Sequence, residues 1–398
     1  MNDPDAGLPE DQPVWFLVLF ALASAGGAVA YVPLLTVLLP QRIADLQGSE
    51  DVAALAQVTF LGAVMASIAN IAIGALSDHS RTRRPWIIAG LIASNGLLLA
   101  VGEAQSITAI IVLVMGWQVA LNLMLAPLMA WAGDCFPDAQ KGVLGGALAL
   151  SPALGALAGS LVTWTGLVDP SARLGLVAML VSALVLPAVM LGAKRTRPAL
   201  MAPAQREPVA RPLRDGVVAR MWIARLLVQV AEGGMFAFLL YWLRSLAPDY
   251  PENGAANIFS AVLVCAVPVS LLLGRWSDRH GRPVLPLVGA AVLCACGMLV
   301  MAGAGSLAWA IAGYVLFGLA AAVFLALHAS QTLRVLPAPQ HRARDLGVFN
   351  LTNTVPGMVM PWLTVLLVPS FGYEVLFVLF AALSLTSAVL LASFIRRP

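Results

Sequence analysis

Residues 14–39, 107–132 and 375–395 are apolar runs, each near or above the roughly 20 residues that cross a bilayer as a helix. Runs of this kind recur along the whole 398-residue chain. Hydrophobic residues make up 60% of it and charged residues only 11%, where a soluble globular chain carries about a quarter. Such a balance cannot cover a surface in water, so the runs read as membrane spans. The first 13 residues hold Asp3, Asp5, Glu10 and Asp11 and no Lys or Arg, unlike the basic start of a secretory signal. The first run is also longer than a signal's apolar segment and reads as a retained helix. Cys135, Cys265, Cys294 and Cys296 lack zinc-type spacing and read as small packing residues.

Polar, Pro or Gly breaks divide the chain into twelve spans, starting near Val14, Val52, Trp86, Ile107, Gly142, Ala172, Val217, Ala255, Pro283, Leu307, Asp345 and Tyr373. With both termini on one side, 19 Lys and Arg residues fall at connections on that side and 3 (Arg42, Arg173 and Arg244) on the other. Basic residues collect on the cytoplasmic face. The expectation is therefore a multi-pass protein of the cell (plasma or inner) membrane with both termini and the long central loop in the cytoplasm.

The chain repeats itself. Gly74, Ser77 and Asp78 recur as Gly274, Ser277 and Asp278, and Pro137 and Gln140 recur as Pro337 and Gln340, all at an offset of 200. Each pair falls at the same connection of its half. This predicts an all-α integral membrane fold of two pseudo-symmetric six-helix bundles, residues 1–193 and 217–398, joined by a polar, Pro- and Arg-rich cytoplasmic linker over 194–216. Parallel repeats of this kind place a substrate site near the midplane between the halves.

The segment from Gly74 to Trp86 (GALSDHSRTRRPW), with its partner from Gly274 to Pro283, resembles the loop signature of the major facilitator superfamily. The resemblance covers nearly the whole chain. Asp134, Pro137, Lys141 and Gly142 resemble that family's loop between helices four and five, and 345–353 resembles the start of helix eleven in its sucrose and glycoside cation-symporter-like branch. His79 departs from the pattern, standing where an Arg is common, and the basic run is shortened. The resemblance implies a gating role for Gly74, Asp78, Arg81, Arg84, Asp134, Gly274, Asp278, Arg279, Arg282 and Asp345. A carboxylate at Asp78 or Asp278 can pair with an Arg and with the positive N-terminus of an adjacent helix, latching one side shut. The competing reading is that these charges only set topology.

An ionisable group inside hydrocarbon is costly and needs a partner or water. Arg225, Gln229 and Glu232 are spaced i, i+4 and i+7 in span seven, so they share one helix face. Gly233 and Gly234 follow and loosen the helix there. Apolar surroundings favour the neutral form of a carboxyl group, and a proton-coupling site needs a group that changes form. Glu232 is thus expected to bind a coupling proton or a polar solute group with Arg225 as its charge partner; the alternative is a structural ion pair.

In span four, Trp117 with Gln118 and Asn122 at i, i+4 suits sugar hydroxyls, whose partners must donate and accept beside a stacking ring. Helix-to-helix hydrogen bonding is the equal alternative. In span ten, Phe324 to His328 resembles a family stretch where an Asp is common, and His328 substitutes a group that ordinarily titrates near pH 6.5; it reads first as a packing histidine, with a gate or a coupling site as the alternatives. Asn353, with Asn350 and Pro356, and Tyr31 and Tyr314 complete the candidates. The small-residue patterns Gly142-x-x-x-Gly146 and Gly155-x-x-x-Gly159 in span five allow close helix contact, sliding or static.

These features predict a secondary active transporter of a small polar organic solute, with proton-coupled import of a sugar or glycoside leading. Proton-driven export of drugs or metabolites uses the same parts, and a non-transporting assembly factor or sensor keeps the same fold. No phosphate loop, paired catalytic carboxylates or metal-type cluster is present in the sequence, so neither a primary pump nor an enzyme is expected. The expected partners are the small-molecule substrate, a coupling proton or other cation and the bilayer. No cofactor, metal or nucleic acid is expected, and the chain is expected to act as a monomer.

Overall fold

The computed structural model describes residues 11–47, 52–164, 168–201, 215–250, 252–336 and 338–395. Among them every regular element is helical, as hydrocarbon demands of a backbone that must satisfy its polar groups internally. In order these are α1 (Val14–Pro33), a π-helical turn (Leu34–Leu38), α2 (Leu39–Gln47), α3 (Val52–Ser80), α4 (Arg84–Gly102), α5 (Ile107–Cys135), α6 (Lys141–Leu148), α7 (Leu150–Val162) and α8 (Arg173–Leu191). There follow α9 (Pro198–Met201), α10 (Asp215–Leu246), α11 (Glu252–His280), α12 (Leu285–Ala302), α13 (Leu307–Val335) and α14 (Arg342–Ile395). Ten stretches among the described residues are long and apolar enough to cross a membrane. The linker's Arg206, Arg211 and Arg214 and the repeat residue Pro337 lie outside the described residues.

Four expected spans have a more complex form. Pro33 has no N–H to continue the helical ladder, and the first span passes through the π turn before resuming as α2. The fifth span is two helices, α6 and α7, so its two glycine patterns belong to different segments. Gly155 packs on Ala28 and Val32 of α1, whereas a side chain at Gly159 would meet nothing within 4 Å. Spans eleven and twelve run together as α14, broken only at Gly372, whose φ of 73° is a left-handed conformation that glycine adopts without a Cβ penalty.

The duplication is visible in the helices themselves. α3 and α11 both have 29 residues and start 200 apart (252 − 52 = 200), and so do α5 and α13 (307 − 107 = 200). Their caps repeat as well. Ser106 accepts from the Ala109 N–H at the start of α5, and Ser306 accepts from the Trp309 N–H at the start of α13. The turn after α3 carries Arg81 at φ 53°, and the turn after α11 carries Gly281 at φ 61°.

The chain divides into two compact units. Unit one comprises Met1–Leu144, Leu150–Val209 and Leu336–Val348; unit two comprises Gly145–Ala149, Ala210–Val335 and Phe349–Pro398. In unit one, α1 packs on α7 and α8 while α4 packs on α5, around a core that includes Phe16, Phe20, Trp131 and Phe136. In unit two, α12 packs on α13, and Phe317, Phe324, Phe377 and Phe380 are fully buried. Segments near the ends of spans cross between these units in sequence: 145–149 belongs to unit two and 336–348 to unit one.

Candidate functional site

In unit one the signature loop after α3 forms a buried charge cluster. Arg83 donates from Nη2 to Asp78 Oδ1 at 2.8 Å, from Nη1 to Ser77 Oγ at 2.7 Å and from Nε to Asp134 Oδ2 at 2.9 Å. Arg342, at the start of α14, donates from Nη1 to the other oxygen of Asp134 at 2.5 Å. Two carboxylates and two guanidiniums thus alternate, and their formal charges sum to zero. All four side chains are at least 92% buried. Burial alone would lower the pKa of Arg83, but Asp134 and then Asp78 outweigh it and hold the guanidinium above its ordinary value.

Asp78 has a second set of partners. Its carboxylate accepts the backbone N–H groups of Ala343 at 3.1 Å and Arg344 at 3.0 Å, in the first turn of α14. Those N–H groups have no intrahelical acceptor, and the helix end carries partial positive charge, so a carboxylate is the favoured occupant. Gly74 permits this approach: a Cβ there would lie 2.5 Å from the Ala343 carbonyl oxygen.

The other gating candidates are placed differently. Arg81 is exposed in its left-handed turn, and Arg84 donates to the Val189 carbonyl at 2.8 Å, so Arg83 is the residue that reaches Asp78. In unit two Gly274 is buried and Arg279 and Arg282 are exposed, while Asp278 pairs with Arg334 at 2.8 Å. Arg334 occupies the position 200 after Asp134. The repeat therefore balances its loop aspartate in two ways, directly in unit two and through Arg83 and a second aspartate in unit one. Asp345 pairs with its neighbour Arg344 at 2.7 Å near the surface. Arg342 was not among the expected residues; its signal in sequence is its place in the connection that repeats Lys141.

The polar stripe of α10 lies in unit two. Gln229 donates to Asn353 Oδ1, and Asn353 Nδ2 donates to Asn350 Oδ1 at 2.7 Å. Arg225 donates from Nε to Thr352 Oγ1 at 3.0 Å, from Nη1 to the Leu325 carbonyl at 3.3 Å and from Nη2 to Asn353 Oδ1 at 3.3 Å. Glu232 is partly buried and makes no hydrogen bond or ion pair with any described residue. Arg225 and Glu232 form no contact ion pair: seven residues of helix separate the two backbones by about 10 Å, and Arg225 turns toward α13 and α14.

The remaining candidates divide between bonded and unbonded groups. In unit one Asn122 is consumed structurally: it accepts from Asn70 of α3 at 2.6 Å and donates to the Gln118 carbonyl at 2.8 Å. Among the described residues the Gln118 side-chain amide makes no hydrogen bond and the buried Trp117 indole N–H finds no acceptor. In unit two His328 is wholly buried, with Nε2 3.0 Å from the Met221 carbonyl and Nδ1 3.2 Å from Thr332 Oγ1. It ties α13 to α10 and has no free ring nitrogen for a solute. Tyr314 is buried in α13, and Tyr31 is half exposed on α1.

Residues 221–398 match the family model of the Major Facilitator Superfamily. None of the curated proteins matches the chain. Among solved structures, the human organic anion transporter MFSD10 (TETRAN) is similar with a TM-score of 0.73 at 16% identity, covering 96% of this chain and 100% of that one. A bacterial homologue of the iron transporter ferroportin, in an outward-facing state, has a TM-score of 0.75 at 15% identity, covering 96% and 99%. The Escherichia coli fucose:proton symporter FucP has a TM-score of 0.71 at 15% identity, covering 97% and 99%. At these identities the likeness establishes the fold, which is the major facilitator fold of twelve membrane helices.

Proposed function

We propose that this chain is a secondary active transporter of the major facilitator superfamily, which moves a small polar organic solute by alternating access and is driven by protons. The observation that carries the proposal is Glu232, a carboxyl group within α10 that makes no hydrogen bond or ion pair with any described residue. A partly buried carboxyl group that no described residue bonds is suited to exchange a proton, and its charge changes as it does so. Gln118 and the Trp117 indole, with unused polar groups inside α5, support binding of a polar solute in the same protein.

The basic residues at the connections favour both termini in the cytoplasm of a cell membrane. The buried cluster around Asp134 is the cytoplasmic latch in this reading, and the first turn of α14 must leave Asp78 for it to open. Import is the direction that the symporter-like segment 345–353 supports. Export by proton antiport rests on the same residues, and uptake in right-side-out and inverted vesicles separates the two.

The test is accumulation in proteoliposomes under an imposed proton gradient, using solutes chosen by their ability to stabilise the purified protein. The wild type should concentrate such a solute and lose it when a protonophore is added. Glu232→Gln should reach the membrane and fail to concentrate it. Undiminished accumulation by that variant overturns the proposal.

A further inference from the structure

We infer that Arg225 is the anchor for an anionic group on the transported solute, and that the solute is a polar, hydroxylated carboxylate of the sugar-acid class. The inference rests on the transporter reading only in taking the bound anion to be the cargo.

Arg83, Arg334 and Arg342, near the helix ends, each meet a carboxylate at 2.5–2.9 Å. Arg225 lies inside a span, where an uncompensated charge costs most, yet all three of its acceptors are neutral: a hydroxyl, a backbone carbonyl and a side-chain amide. Those bonds orient the guanidinium without discharging it. A guanidinium has five N–H donors in a fixed fork, and Arg225 uses three, so one donor on each terminal nitrogen remains. A paired donor of this geometry is matched to the two oxygens of a carboxylate.

The surroundings specify the rest of the solute. Asn353 accepts from both Gln229 and Arg225, which fixes the two groups relative to one another before anything binds. Asn353 is exposed and Asn350 partly so, and amides of this kind donate and accept as hydroxyl groups require. Glu232 stands further along the same face, far enough from Arg225 for a bound carboxylate to avoid it. The stripe therefore runs from a cation through amides to an acid. An amine or a neutral sugar would leave Arg225 with no anion in contact with it.

Thermal stability of the purified full-length protein, measured with matched probes at millimolar concentration, tests this. Glucuronate, glucose and glucosamine differ in charge on one frame; benzoate, benzamide and benzylamine do so on an aromatic one. Glucuronate should raise the melting temperature and glucose and glucosamine should not. Arg225→Gln should abolish the shift. Arg225→Lys retains the charge and loses the fork, and should weaken apparent affinity by roughly tenfold or more.

Stabilisation by glucose equal to that by glucuronate, an undiminished shift in both Arg225 variants, or no shift with either acid overturns the inference. A shift with benzoate alone overturns the hydroxylated class while upholding the anion. Binding of glucuronate without any flux of it in proteoliposomes upholds the anion site and overturns the transporter reading.

Discussion

Arg342 and Asp134 stand 208 residues apart in sequence and meet at 2.5 Å, both almost wholly removed from solvent. The contact fastens the first turn of α14 to the end of α5, and Asp78 fastens the same turn through its backbone N–H groups. Removing one member of a buried ion pair leaves its partner uncompensated, at a cost of about 3–5 kcal/mol. Asp134→Asn should therefore destabilise unit one by an amount in that range, read as a fall in thermal stability in detergent. A variant as stable as the wild type would show that the cluster contributes little.

Gly74 and Ala343 approach so closely that a side chain at position 74 has no room. Gly74→Val should push the start of α14 away, at a cost of about 1–3 kcal/mol. Ala343 is buried, so a cysteine placed there in a cysteine-free background should resist a membrane-impermeant maleimide. The same cysteine should label readily once Gly74→Val is added. Equal labelling in the two backgrounds contradicts the packing described.

Arg81 and Arg83 are two residues apart but should behave oppositely. Arg81 holds a left-handed backbone conformation that favours glycine, and the matching turn of the repeat has Gly281. Arg81→Gly should change stability by no more than about 1 kcal/mol and leave transport intact. Arg83→Gln should impair both, since Arg83 bridges Asp78 and Asp134. Equal loss in the two variants would mean that bulk positive charge, rather than the specific bridge, is what matters.

The Arg83 bridge should also be insensitive to pH near neutrality. Asp134 and Asp78 hold its pKa above the ordinary arginine value, so its stabilisation is complete below the unfolded value and is lost only as pH rises through the higher folded one. The stability difference between the wild type and Arg83→Gln should be the same at pH 7 and pH 9. A difference that shrinks over that interval would contradict the assignment.

The spans and their duplication were legible in the sequence, because an apolar run of sufficient length has one stable form in lipid and the polar breaks mark its ends. The expected starts at Val14, Val52, Ile107 and Leu307 are the observed ones, and those at Trp86, Gly142, Ala172, Val217, Pro283 and Asp345 fall within three residues of helix starts. The division of span five was not legible, and Pro33 marked a break in the first span without showing that it would take the form of a π turn. The stripe of α10 could be read from spacing alone. The partners of Arg225 could not, because Leu325, Thr352 and Asn353 lie 100–128 residues away. For the same reason nothing local distinguished Arg83 from Arg81 and Arg84 as the partner of Asp78, and only the geometry of the turn decides it.

Glu232 carries the central claim, and coupling can be separated from binding. Proteoliposomes containing Glu232→Gln should still exchange labelled for unlabelled solute across the membrane, because exchange needs no net proton movement. They should fail to accumulate that solute against its gradient when a proton gradient is imposed, while the wild type does both. Accumulation by Glu232→Gln at the wild-type level would contradict the account.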